Sequence, residues 1–151
     1  MFVKICGITR LEDAEAAAQC GASAVGFVFW PDSPRFLDPY RARAIAAALP
    51  LFVTTVGVFV NQPLEYVAGV ASLVHLGAVQ LHGDETMAYA SRIRPPVVKA
   101  IPLRESFDVA SAERWPRRSR CSSTSTIRRG EAVPAARSTG PRRLSSPPAG
   151  A

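Results

Sequence analysis

The sequence predicts an α/β fold in which strands and helices alternate around a parallel sheet, on three observations. Short runs rich in β-branched and aromatic residues alternate with alanine-rich stretches as far as about Pro102. Two of these runs, Val25-Gly26-Phe27-Val28-Phe29 and Val56-Gly57-Val58-Phe59-Val60, are apolar on both faces, as strands covered on each side require. Parallel strands of this kind are joined by right-handed crossovers, and the intervening stretches have the length and composition of helices.

Taken in order, residues 2–6 read as the first strand and residues 11–20 as an alanine-rich helix closed by Gly21. A second strand follows over residues 25–30. The proline-bearing loop 31–37 leads to a helix over 39–49, where Pro39 fits the first turn because its missing N–H has no intrahelical partner there. Residues 52–60 give the third strand, 63–76 the third helix, 78–81 the fourth strand, 84–93 the fourth helix and 97–101 the fifth strand. Asp84 is expected to cap the fourth helix. An open doubly wound sheet is one solution, but no GxGxxG turn follows the first strand. A (βα)8 barrel is the other, with five of its strands countable here.

The 151 residues, 48% hydrophobic, suffice for one domain with a core. No apolar run approaches the roughly 20 residues that span a bilayer, and no signal-peptide pattern opens the chain, so a cytoplasmic protein with no membrane partner is expected. Cys6, Cys20 and Cys121 have unrelated spacings, which favours reduced thiols over a disulfide framework or a zinc site. The net charge of +6 is unevenly placed: residues 1–113 hold 9 Lys/Arg and 11 Asp/Glu, whereas residues 114–151 hold 9 arginines against Glu131 alone. Beyond Trp115 the sequence is rich in Arg, Ser, Pro and Ala. With few large aliphatics it cannot offset its ordering entropy, so residues 116–151 read as a disordered tail behind a domain of residues 1–115.

Polar residues gather where strands end, the place where barrels build active sites. These are Cys6 after the first strand, Asp32-Ser33-Pro34-Arg35 after the second, Asn61 after the third and His82-Gly83-Asp84 after the fourth. A lone strand cysteine is most often a small buried hydrophobe. Lys4, two residues back on the same face, supplies a cation that favours a thiolate and so a general base or nucleophile at Cys6. Arg35 is suited to a bidentate grip on a carboxylate, or else is a solvated surface arginine. His82 faces a ligand or caps a turn. Cys20 is expected to be packing.

The ordered motifs KICGIT, GFVFWPDSPRF, VGVFVN and VQLHGDE resemble the phosphoribosylanthranilate isomerase family of tryptophan biosynthesis, over residues 1 to about 115. The resemblance implies a (βα)8 barrel, here incomplete with about five βα units, and an Amadori rearrangement of an aminoaldose phosphosugar to an aminoketose without metal or organic cofactor. It places the general base at Cys6, which removes the C2′ proton of the Schiff-base form, and the anthranilate carboxylate at Arg35, with His82 also in the substrate site. It further implies an aspartate in an L-L-D context after strand six, the general acid that protonates the ring oxygen, and a G-G-T-G turn at a helix N-terminus that binds phosphate. Neither motif occurs in these 151 residues. The start at Met1, two residues before the first motif, fits a free-standing enzyme.

The tail has an account of its own. If residues 121–127 are encoded by TGC TCC TCG ACG TCG ACG ATC, the frame offset by two bases reads Leu-Leu-Asp-Val-Asp-Asp. The same offset over residues 131–140 permits a G-G-(T/A)-G turn. An out-of-frame translation of the second barrel half is therefore expected, with loss of activity and with self-association through exposed sheet edges. The alternative function is non-specific nucleic-acid binding through the arginine-rich tail. The tail holds no aromatic residue for base stacking and no recognisable module, so no specific nucleic-acid partner is expected.

Overall fold

A computed structural model describes residues 2–102 and 120–124 of the chain. Six parallel strands stand side by side in chain order: β1 (Lys4–Cys6), β2 (Ala24–Val28), β3 (Thr54–Phe59), β4 (Ala78–Leu81), β5 (Val97–Pro102) and β6 (Arg120–Thr124). Helices α1 (Leu11–Gln19), α2 (Pro39–Ala48), α3 (Leu64–Val74) and α4 (Met87–Ala90) follow β1 to β4 in turn. A doubly wound sheet reverses its strand order at a switch point, and this sheet does not. Its sequential order is that of a (βα)8 barrel wall, of which β1 to β5 make a half-barrel.

Successive strand residues point to opposite faces, and the register keeps partners on one face. The helix-facing side presents Val25, Phe27, Phe29, Phe59, Val79 and Leu81, all fully buried together with Ala14, Ala42 and Val67 from α1, α2 and α3. Phe29 and Phe59 stack with ring centres 5.2 Å apart, and Tyr66 meets Phe59 edge-on at 6.4 Å. Each buried side chain of this size contributes about 1.5 to 3 kcal/mol, so this layer fixes the strand positions. The register runs Lys4↔Ala24, Cys6↔Gly26, Gly26↔Val56 and Val58↔Gln80, which puts Lys4, Cys6, Gly26, Val56, Val58 and Gln80 together on the concave side.

The helix starts follow local chemistry. Asp38 caps α2 by accepting from the backbone N–H groups of Tyr40 (2.9 Å) and Arg41 (3.2 Å), with Pro39 in the first turn as expected. α4 departs from expectation: it is one turn, and its cap is Thr86, which accepts from Tyr89 N at 3.2 Å, not Asp84. Asp84 and Glu85 are committed to the preceding loop by bonds to the β3 end, and Pro95-Pro96 forces extended chain soon afterwards. Cys20 also departs: it is exposed, because α1 ends at Gln19 and the chain turns away through Gly21 (φ 86°) before the buried stripe of Ala14 and Ala17 can extend to it.

β6 lies in the stretch expected to be disordered. It pairs with β5 from Val98↔Arg120 to Pro102↔Thr124. An open strand edge offers backbone donors and acceptors that need no particular side-chain pattern, which is why the sequence gives no strand signal there. The remaining residues of the expected tail lie outside the described ones. No helix among the described residues is long and apolar enough to cross a membrane.

Candidate active site

β1 delivers Cys6 to the C-terminal rim, where its thiol is exposed rather than buried. Two glycines make the surrounding space. Gly26 stands opposite Cys6 in the register, and a Cβ there would lie 2.8 Å from Sγ. Gly7 holds φ 81°, open to glycine at little cost, and a Cβ on it would lie 2.5 Å from Arg35 Cδ. With that hydrogen in place of a side chain, the Arg35 guanidinium crosses the end of β1 and donates from Nη1 to Cys6 O at 3.4 Å. The loop bearing Arg35 is shaped by Ser33, whose Oγ accepts from Arg35 N at 3.1 Å, and by a bridge between Val28 and Phe36.

Lys4 reaches across the concave face from β1 to β4. Its ammonium lies 3.8 Å from Cys6 Sγ and donates to Gln80 Oε1. The other end of that amide, Nε2, lies 3.3 Å from His82 Nδ1. His82 is held below the ordinary imidazole range by partial burial first, then by the positive charges of Lys4 and Lys99, against the opposing pull of Glu85. Its ring is accordingly neutral near pH 7.

A buried polar knot locks the neighbouring loops. The Glu85 carboxylate accepts from Asn61 N at 2.8 Å and Gly83 N at 3.0 Å, and pairs with Lys99 Nζ at 2.8 Å. Lys99 also donates to Gly83 O at 2.5 Å. Asn61, in the left-handed region at φ 50°, accepts at Oδ1 from Asp84 N at 2.7 Å. Gln62 donates to Phe29 O and Tyr89 to Gln62 O, both at 2.8 Å, tying the end of β2, the loop after β3 and α4 together.

Of the residues expected from the sequence, Cys6, Arg35 and His82 therefore share one rim, and Lys4 touches the thiol. Asn61 is at the same rim, but its side-chain oxygen is engaged by the loop backbone. Asp32 is exposed in the loop before Arg35. Gln80, Glu85 and Lys99 were missed. Their signal was a polar residue within an otherwise apolar strand, Gln80 in β4 and Lys99 in β5, since such residues are rarely buried without a partner. Two surface concavities, one around Thr9, Glu12 and Arg41 and one around Arg43, Pro50 and His75, lie away from this cluster. The rim, which gathers Cys6, Arg35, Lys4 and His82, is the candidate site.

A family model described as N-(5'phosphoribosyl)anthranilate (PRA) isomerase matches residues 3–121. The chain belongs to the phosphoribosylanthranilate isomerase family. It is 47% identical over 107 residues to N-(5'-phosphoribosyl)anthranilate isomerase of Nitrosomonas europaea, covering 71% of this chain and 51% of that relative. The crystal structure of phosphoribosyl anthranilate isomerase from Thermus thermophilus superposes with a TM-score of 0.73 at 47% identity, covering 77% of this chain and 58% of that one. A further isomerase structure of this family is a complex with reduced 1-(o-carboxyphenylamino)-1-deoxyribulose 5-phosphate. It matches with a TM-score of 0.72 at 49% identity, over 74% of this chain and 59% of that one. The chain spans about half the length of the curated relatives it matches.

Proposed function

We propose that the rim serves the Amadori rearrangement of N-(5-phosphoribosyl)anthranilate in tryptophan biosynthesis, an intramolecular aldose–ketose isomerisation. The observation that carries the reading is the joint placement of an exposed thiol and a guanidinium on the end of β1, with Arg35 Nη1 3.4 Å from Cys6 O. Cys6 is the general base for the C2′ proton of the Schiff-base form. Arg35, offering paired N–H donors, holds the anthranilate carboxylate. His82, neutral, is a substrate-binding donor or acceptor on the facing strand. The substrate is a phosphosugar, and the net positive set of Lys4 and Arg35 suits an anion; Lys99 is balanced by Glu85.

The isomerisation also calls for a general acid at the ring oxygen and a phosphate cradle, and these 151 residues contain neither L-L-D nor G-G-T-G. A lone general acid is worth about 10² to 10⁴ in rate, and the phosphate site supplies binding energy that positions the sugar. On their own, these residues are therefore an impaired isomerase. An offset reading frame over residues 121–127 and 131–140 would supply the missing motifs, and sequencing the DNA from the codon for Arg114 to that for Gly140 tests it: an offset frame lacking both motifs removes that account. The exposed apolar residues of β1 support self-association of the chain as it stands.

Binding of reduced 1-(o-carboxyphenylamino)-1-deoxyribulose 5-phosphate by calorimetry tests the site without demanding turnover. Weak binding that Arg35→Ala abolishes is expected. Binding untouched by Arg35→Ala would sink the assignment of the carboxylate, and robust turnover by the chain as written would sink the impairment.

A further inference from the structure

Cys6, Lys4, Gln80 and His82 form one continuous line of polar contacts across the concave face, and one of its members, Gln80, has no part in the chemistry above. Lys4 touches Cys6 Sγ at 3.8 Å and donates to Gln80 Oε1, and Gln80 Nε2 meets His82 Nδ1 at 3.3 Å. Gln80 is buried at 6% exposure, so its amide has little water to fall back on. The direction of the line follows from what each group can do. An ammonium only donates, so the amide oxygen must face Lys4. The amide nitrogen then faces His82, and it too only donates. Nδ1 must therefore accept, which leaves the ring proton on Nε2. An imidazolium would set N–H against N–H.

We propose that Gln80 is a positioning residue that couples Cys6 to His82: its oxygen aims the Lys4 ammonium at the Cys6 sulfur, and its nitrogen fixes His82 as the Nε2–H tautomer. His82 then presents an N–H donor, not an acceptor, to an oxygen of the bound phosphosugar, a step that rests on the isomerase reading. The depressed proton affinity of His82 has the same sense, because protonation of Nδ1 would break the Gln80 bond. Lys4 spans from β1 to β4, so the line also reports whether the sheet is curved as a barrel wall.

The test uses the full chain and two readouts that need no turnover. One is the rate at which iodoacetamide alkylates Cys6, followed by peptide mass spectrometry, with exposed Cys20 as the internal reference. The other is the 15N shift pattern of the His82 ring. The unsubstituted chain is expected to show Nε2–H at neutral pH. Gln80→Leu should lower the Cys6 rate severalfold, because Lys4 is no longer aimed at the sulfur, and mix the His82 tautomers. In a Lys4→Met background the same change should have no further effect on Cys6. Gln80→Glu tests the His82 arm by itself: its carboxylate still accepts from Lys4 but cannot donate to Nδ1, so the Nε2–H tautomer is lost. Equal Cys6 rates and an unchanged tautomer in Gln80→Leu overturn the proposal, as does a Gln80→Glu chain that keeps Nε2–H. Failure of the substrate analogue to bind, with these effects intact, would remove the isomerase reading and leave the coupling standing.

Discussion

At the scale of single residues, the site depends on what is absent as much as on what is present. Gly26 leaves the Cys6 sulfur its place, and a methyl 2.8 Å from Sγ forces the thiol aside. Because Sγ can rotate away, Gly26→Ala is expected to spare most of the stability while displacing the proposed base; in a form that carries a complete barrel, kcat should fall well before the urea midpoint does. A large stability loss with kcat retained would show instead that the β2 backbone takes the strain. His82 gives a prediction with a definite sign. Its folded proton affinity is lowered, so between the ordinary imidazole value and the lower folded value the unfolded chain binds more protons, and stability falls as pH drops through that window. Ring NMR should place its midpoint below the ordinary value of about 6.5, and His82→Asn should flatten the loss of stability as pH falls below that ordinary value. A midpoint at or above the ordinary value contradicts the burial and lysine charges that lower it.

At the scale of elements, the loops after β3 and β4 are ordered by a buried carboxylate rather than by a long helix. Glu85 satisfies two backbone N–H groups and the Lys99 ammonium, with both side chains less than 10% exposed. Removing Glu85 takes the carboxylate from the buried Lys99 ammonium and the acceptor from two backbone N–H groups, so Glu85→Ala is expected to cost about 3 to 5 kcal/mol, measured by urea unfolding, and to free the His82 loop. Lys99→Met paired with Glu85→Leu should cost less than Glu85→Ala alone, and an equal cost would mean that the buried Lys99 charge is not the cause. This knot also explains what was legible in the sequence. The strands were readable because burial on both faces leaves apolar runs, and β4 was placed at its observed ends. α2 was readable from Pro39 in its first turn. α4 was overcalled because its period looks helical, whereas Asp84 and Glu85 were taken by contacts some 23 and 24 residues away, which no local pattern encodes. That Cys6, Arg35 and His82 share one rim was legible because each lies at or after the end of a strand within an ordered motif. Gln80 was not, since its role depends on a register that brings β1 and β4 across the same concavity.

At the scale of the whole molecule, a wall built from consecutive parallel strands has two edges unless it closes, and β1 is bonded on one side only among the described residues. That edge is apolar: Phe2 is 74% exposed, Ile5 42% and Val3 37%. Val3 and Ile5 alternate with Lys4 and Cys6, so they stand on the helix-facing side of β1, where neighbouring strands bury phenylalanine and valine completely. An edge that offers both backbone groups and uncovered apolar side chains recruits another chain, and charge on it is the usual protection. Light scattering on the chain as it stands should therefore show an apparent mass that rises with concentration. Ile5→Lys should reduce that rise while leaving Cys6 alkylation unchanged, because Ile5 and Cys6 face opposite sides of the strand. A mass independent of concentration would mean that the β1 edge is covered within one chain. A rise that Ile5→Lys does not diminish would place the contact elsewhere, with the edge beside β6 as the next surface to charge.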